Sequence, residues 1–290
     1  MRFAFIQAEK AKYDVALLCE VLEVSRQGYY AWRARKPCRH KLTDEVLRRS
    51  IHRAFAESGA RYGAPRVQQA LRAQGQATSR KRVARLMRQE GLVGRNRRRR
   101  FIRTTDSRHG HAVAPNLVNR DFAPDGPNRV WATDITYIPT KKGWIYLAVV
   151  LDLFSRKVIG WSMQPYLDRR LVLAALLMAI EARRPAPGTL VHHSDRGVQY
   201  ACEDYRKALA DAEIAVSMSR KGDCWDNAVV ESFFSTLKQE LVYRTTFADH
   251  DAARAALFHY IESFYNRRRL HSSLGYLSPA EYERRAAVLN

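Results

Sequence analysis

Cysteine is scarce in this chain. Its four cysteines, Cys19, Cys38, Cys202 and Cys224, form no CxxC pair, which argues against a disulfide framework and for thiols that stay reduced. His192 and His193, taken with Cys202 or Cys224, match no standard zinc spacing. No apolar run reaches the roughly 18 residues of a membrane span. The N-terminal MRFAFIQAEKAKYD lacks the apolar core of a signal peptide. An intracellular, cytoplasmic protein with no membrane partner is expected. Sustained heptads are missing too, so no zipper is expected within the chain. Acids are the last shortage: 29 against 50 Lys and Arg, a net charge of +21 over 290 residues.

That surplus is uneven. Residues 1–125 hold 28 basic and 11 acidic side chains, a surplus of 17, whereas residues 126–290 hold 22 and 18, a surplus of 4. A basic N-terminal part joined to a nearly neutral one predicts an electrostatic grip on a polyanion beside a separately folded unit. Nucleic acid is the first candidate and an anionic membrane the second. Residues 1–40 read as a helical segment, with Val15 to Val24 and then SRQGYYAWRARK giving helix, turn, helix. Residues 41–94 read as another helical unit. Thr43 is placed as an N-cap ahead of Asp44 and Glu45, opening a helix to about Ser58. The turn SGARYGAP leads to a helix over 66–74, and Ser79 caps SRKRVARLMRQEGL. In that last helix Val83, Leu86 and Met87 make an apolar stripe among basic residues. Two short helices, the second opening with positive charge, predict a helix-turn-helix with its recognition helix at 79–90. Arg80, Lys81, Arg82 and Arg85 would then contact DNA. Residues 95–128 read as a basic linker. RNRRRRFIR is too charged to pack, so Arg97, Arg98, Arg99 and Arg100 would follow a phosphate backbone or enter a minor groove.

From Arg129 the pattern turns strand-rich. VWATDITYIP (130–139), GWIYLAVVLDL (143–153) and KVIGWSMQP (157–165) lie at hairpin distances and predict three antiparallel strands. A long apolar-striped helix (168–184), a strand (189–195), a helix (201–212) and a strand (214–219) follow. DNAVVESFFSTLK, from Asp226 to Lys238, contains no Gly or Pro and should be helical. Asn227, Glu231, Ser235 and Lys238 then share one face, opposite Val230, Phe233, Phe234 and Leu237. Residues 246–290 read as a helical extension. Leu257, Tyr260, Ile261 and Phe264 face inward, and Arg267, Arg268, Arg269 and His271 make a basic knot beside the preceding unit. Ser278 opens a final capped helix.

Three acids stand out. Asp134 lies mid-strand, where an unpaired carboxylate costs several kcal/mol. Asp195 ends a strand just before Gly197, and Glu231 sits on the helix face. Together they make an all-oxygen set suited to Mg²⁺ or Mn²⁺, and two such ions about 3.5–4 Å apart can clamp both oxygens of an in-line phosphoryl displacement. Asp152 is a rival acid at a strand end, placed near the set but outside it. With 35 residues between Asp195 and Glu231, the three acids resemble the DDE triad of the retroviral-integrase superfamily. The words TDITY, HSDRGVQY, SMSRKGDCWDNAVVESFFSTLKQE and YNRRRLHSSLGYLSPAEY are similar to those of second-reading-frame (OrfB-type) products of bacterial insertion-sequence-three family transposases, from about Arg61 to Tyr282.

The resemblance implies an α/β fold: a ribonuclease-H-like integrase catalytic core over 129–245, with a mixed five-stranded sheet flanked by helices, preceded by the all-α helix-turn-helix region. It implies a transposase acting on double-stranded DNA, at transposon ends and target. Two Mg²⁺ (or Mn²⁺) ions on Asp134, Asp195 and Glu231 would serve hydrolysis to a 3′-OH and then strand transfer, sometimes through circular intermediates. Asn227, Lys238, Arg267 and Arg268 would touch DNA. A homo-oligomer on DNA, a place on the bacterial nucleoid, and an upstream-frame product carrying its own helix-turn-helix and zipper are also implied. The alternatives are a nuclease of the same fold without strand transfer and a non-catalytic DNA-binding regulator.

Overall fold

A computed structural model describes residues 1–36, 39–94, 114–119, 121–220 and 227–289. Arg97, Arg98, Arg99 and Arg100, and most of the expected linker, lie outside the described residues. Five strands form one sheet in the order β3-β2-β1-β4-β5. Strands β1 (Val130–Thr140), β2 (Gly143–Asp152) and β3 (Val158–Gln164) make the expected antiparallel meander, while β4 (Val191–Ser194) and β5 (Ala215–Met218) run parallel to β1. Between them come α7 (Arg169–Arg183) and α8 (Glu203–Asp211), the crossover helices that parallel strands require. Asp168 caps α7 by accepting from the amides of Arg170 and Leu171. The helix lies so close to β3 that a Cβ on Gly160 would sit 2.2 Å from the Ala175 carbonyl oxygen. This is the mixed sheet flanked by helices that the motifs led us to expect.

Helices cover both sheet faces. On one, Trp131, Ala148 and Val150 meet α7 and α8 through Leu171, Ala175, Leu176 and Tyr205. On the other, Ala132, Leu147 and Val149 meet α9 (Ala228–Glu240), whose Val230, Phe233, Phe234 and Leu237 are buried. That second core continues into α10 (His250–Phe258) and into α4 (Arg39–Glu57), α5 (Ala64–Ala73) and α6 (Arg80–Gln89). The unit at 39–94 and the C-terminal extension are therefore joined to the sheet by one apolar cluster. The remaining N-terminal helices, α1 (Arg2–Glu9), α2 (Val15–Val21) and α3 (Arg26–Ala34), keep a small core of their own.

Three expectations change. Helix α4 begins at Arg39, so Thr43 is interior rather than an N-cap; its hydroxyl donates back to the His40 carbonyl at 3.0 Å. The tail helix is not uniformly α: α10, capped by Asp249, passes into a π-helical stretch at His259–Tyr265, where the Asn266 amide donates to the Ile261 carbonyl. Asn266 uses this placement to bond both the amide and the carbonyl of Val158 on edge strand β3, at 3.0 and 2.9 Å. The last change is to the basic knot, which is split. Arg267 and Arg268 are exposed, but Arg269 and His271 are buried. Arg269 pairs with buried Glu240 of α9 at 2.9 Å, and Tyr260 donates to the same carboxylate at 2.8 Å. A buried guanidinium needs such a partner.

Candidate active site

Strand pairing brings the first two acids together. Ala132 is level with His193 in the parallel β1–β4 ladder, and continuing that register by two residues sets Asp195 beside Asp134. The short β4 ends at Ser194, so Asp195 begins the loop beyond the strand's C-terminal edge, where open α/β sheets place ligand groups. Its Oδ1 accepts from the Gly197 amide at 2.9 Å. A Cβ on Gly197 would lie 3.0 Å from that same oxygen, so the loop holds the carboxylate against bare backbone. Arg196 donates from Nε to the Ser219 carbonyl at 2.8 Å and ties the loop to the end of β5.

Helix α9 supplies the third acid. At its start, Asn227 is buried and its Nδ2 donates to the Thr133 carbonyl at 3.2 Å. Near its end, Lys238 Nζ sits 4.7 Å from the centroid of the Tyr137 ring. Eleven residues of helix rise about 16 Å and four of strand about 13 Å, so the helix follows β1 and Glu231 comes level with Asp134. Asn227 was expected to face DNA; its burial makes it instead the pin that fixes α9 on β1.

Electrostatics show how these groups interact. Burial first, and then the charge of Asp195, push the Asp134 carboxyl well above the usual carboxylate range; Glu231 adds to the rise, and the Ile135 amide and Lys238 oppose it. Burial raises Glu231 as well. Burial lowers Lys238 while the charge of Asp134 holds it up. Tyr200, buried behind the pair, is raised well above its ordinary value by burial and by both aspartates. Among the described residues, no three acidic, histidine or cysteine side chains stand ready to bind one ion as placed. Asp152 belongs elsewhere. It is fully buried and accepts from the amides of Asn128 and Phe154 at 2.8 and 2.9 Å, tying the start of the β2–β3 turn to the segment that enters β1.

The basic surface divides in the same way. Ser79 caps α6 as expected, and Arg80 and Lys81 are exposed. Arg82 and Arg85, however, grip the two oxygens of Asp44 at 2.7 and 2.6 Å, clamping α6 to α4. Asp44, read from sequence as a first-turn acid, is the partner that local patterning missed. Tyr137 was also missed, although it lies within the strand word that carries Asp134. Tyr205 meets His192 at 3.0 Å, and Ser217 and Ser219 meet His193.

Comparison with known proteins decides the family. The chain is 44% identical over 289 residues to the transposase InsF for insertion sequence IS3A of Escherichia coli (strain K12), covering 98% of each. The chain belongs to the IS3-family transposases. It is 43% identical over 265 residues to an insertion element IS600 uncharacterized 31 kDa protein of Shigella sonnei, covering 91% of this chain and 97% of that one. Family models for an integrase core domain match residues 124–224 and 212–279, and one for an HTH-like domain matches 41–100. Thus this transposase carries the core expected of DDE polynucleotidyl transferases behind a helical DNA-binding-type unit. Among solved structures, a simian T-cell lymphotropic virus intasome in complex with the PP2A regulatory subunit B56 gamma aligns at 18% identity and TM-score 0.47, over 74% of this chain and 70% of that one. The HTLV-2 integrase catalytic core domain in complex with magnesium aligns at 20% identity and TM-score 0.41, over 55% and 98%.

Proposed function

We propose that Asp134, Asp195 and Glu231 are the metal-binding acids with which this transposase cuts and rejoins DNA at the ends of its element. The observation that carries the reading is the β1–β4 register that sets Asp195 beside Asp134, where the charges of Asp195 and Glu231 raise the Asp134 carboxyl and Lys238 opposes them. Such a group calls for added positive charge. An all-oxygen set of three carboxylates suits hard cations such as Mg²⁺ or Mn²⁺. Bound there, two such ions would supply Lewis acidity for hydrolysis to a 3′-OH and for the attack of that hydroxyl on a second strand.

The side chains do the positioning. Gly197 and the Ile135 amide orient the aspartates, and Asn227 fixes the height of Glu231. Lys238, seated on Tyr137, holds the phosphate beside the cut. Arg80 and Lys81, with Arg97 to Arg100 and the exposed Arg267 and Arg268, grip the duplex. The protein works as a homo-oligomer on transposon ends and target DNA, in the cytoplasm on the nucleoid, together with an upstream-frame product. No helix among the described residues is long and apolar enough to cross a membrane.

Glu231→Gln tests the assignment, since it keeps size and hydrogen bonding but removes a metal-binding charge. The purified variant is expected to bind element-end DNA normally and to lose Mg²⁺-dependent nicking. Wild-type nicking would remove Glu231 from the site. A strand-transfer assay on pre-nicked ends separates a transposase from a nuclease that stops at hydrolysis.

A further inference from the structure

The first three helices are built for a task that neither the catalytic core nor the 39–94 unit absorbs. Helix α2 ends in a tight turn: Glu23 takes a left-handed φ of 50°, and the Val24 amide reaches back to the Cys19 carbonyl at 2.9 Å. Ser25 then caps α3 by accepting from the Gly28 amide at 3.0 Å. Gly28 lets α3 lie directly on α1, since a Cβ there would come within 3.2 Å of the Phe3 ring. Ile6, Leu18, Cys19 and Tyr29 close the inner side as a separate core. Two short helices joined by a four-residue turn, braced by a third, result.

The outer side of α3 has a definite chemistry. Arg26, Gln27, Tyr30, Ala31 and Ala34 are exposed along one stripe, opposite Gly28, Tyr29 and Trp32. The stripe opens with two long side chains of the kind that bond guanine and adenine edges, and its alanines allow close approach. Charge is sorted as well. Arg26, Arg33, Arg35 and Lys36 lie on α3 and its exit with no acid among them, while Glu9, Asp14, Glu20 and Glu23 all lie on other parts of the unit. By contrast, the best-placed arginines of α6 are partly taken up by Asp44.

We propose that α2 and α3 form a second DNA-binding helix-turn-helix, distinct from the one at 41–94, with α3 entering the major groove of duplex DNA. The inference rests on the reading of this chain as a transposase that holds DNA. The N-terminal residues of the second helix meet base edges, as the motif requires, and Arg33, Arg35 and Lys36 meet phosphates on leaving the groove. One chain then holds two stretches of a single transposon end through two independent readers.

The test is hydroxyl-radical footprinting of the full-length protein, with no added Mg²⁺ or Mn²⁺ and the iron reagent held by excess EDTA, on a duplex spanning one end of the element that encodes it. The wild type should protect two separate blocks. The triple variant Arg26→Ala, Gln27→Ala, Tyr30→Ala should lose one block and keep the other, and Arg80→Ala with Lys81→Ala should do the reverse. Arg33→Ala with Arg35→Ala should flatten the log–log salt dependence of binding by about 1–2 in slope. The triple variant keeps every residue of the small core, and an unchanged near-ultraviolet circular dichroism spectrum verifies that it folds. An unchanged footprint and salt slope would overturn the proposal. So would an unchanged footprint with lost self-association, which would make the face a protein-docking surface. Because no Mg²⁺ or Mn²⁺ is supplied, these results stand apart from the catalytic acids; a wild type that protects no DNA would instead sink the functional reading itself.

Discussion

Asp134 is a carboxyl kept where its charge is unwelcome. Burial and two neighbouring acids raise its proton affinity, so between its ordinary pKa of 3.8 and the raised value the folded chain binds more protons than the unfolded one. Stability must then fall as pH rises through that window. In metal-free protein, Asp134→Asn removes this penalty. Its melting temperature at pH 8 should lie above that of the wild type, and added Mg²⁺ should no longer raise it. A lower melting temperature in calorimetry would mean that the carboxylate stabilises the fold. If these oxygens hold the metal as proposed, protons compete for them, and the Mg²⁺-induced stabilisation of the wild type should shrink from pH 8 to pH 5. Lys238 answers a different question. If it only covers Tyr137, Lys238→Ala should leave single-turnover cleavage of pre-bound DNA intact. As a phosphate holder it should lose on the order of a hundredfold, because a misplacement of about 1 Å is enough for that. Lys238→Arg should recover part of the loss.

At the level of elements, α9 is fixed at both ends, by Asn227 on β1 and by Glu240 in a buried pair with Arg269. Removing one member of a buried pair strands a charge, at about 3–5 kcal/mol. Arg269→Met should therefore destabilise strongly in urea titrations, whereas Arg269→Met with Glu240→Leu should recover most of the loss. Equal damage in the single and double variants would show that the pair is not the anchor. This pairing also marks where sequence reading stops. Strands, turns and the cap at Ser79 were legible because their causes are local: β-branched runs, a hydroxyl ahead of a basic helix, Gly197 after an acid. The three acids stood out as candidates because Asp134 interrupts a strand pattern, Asp195 precedes a glycine turn and Glu231 shares a polar helix face. What was hidden depends on residues far apart in the chain. A run of three arginines reads as one basic knot until Glu240, 29 residues earlier, neutralises the third. Arg82 and Arg85 read as DNA contacts until α4 brings Asp44 alongside. Asn227 shares a helical face with Glu231, but only the closeness of β1 decides that it is buried.

Across the whole molecule, Tyr62 links the two ends of the architecture. Its hydroxyl donates to the Arg268 carbonyl at 3.0 Å and accepts from the Leu270 amide at 2.9 Å, while Arg66 donates to the Leu270 carbonyl. Arg61 lies 4.3 Å over the Phe264 ring. Tyr62→Phe leaves two backbone groups short of a partner and should cost about 1–3 kcal/mol. Because one apolar cluster runs from α4 to α10, residues 39–289 should still unfold in a single transition by both tryptophan fluorescence and far-ultraviolet circular dichroism; two transitions would show that the units are independent. The Tyr62–Arg268 contact spans 206 residues of chain, and this sets a timetable for biosynthesis. At about 5–20 residues per second, the segment around Tyr62 leaves the ribosome roughly 10–40 s before its partner exists. Through that interval α5 exposes a face made for a strip of chain not yet translated. A product that terminates before Arg268 keeps all three acids yet never gains the surface against which its helix-turn-helix is seated, so the end of the message governs whether the beginning of the protein is finished.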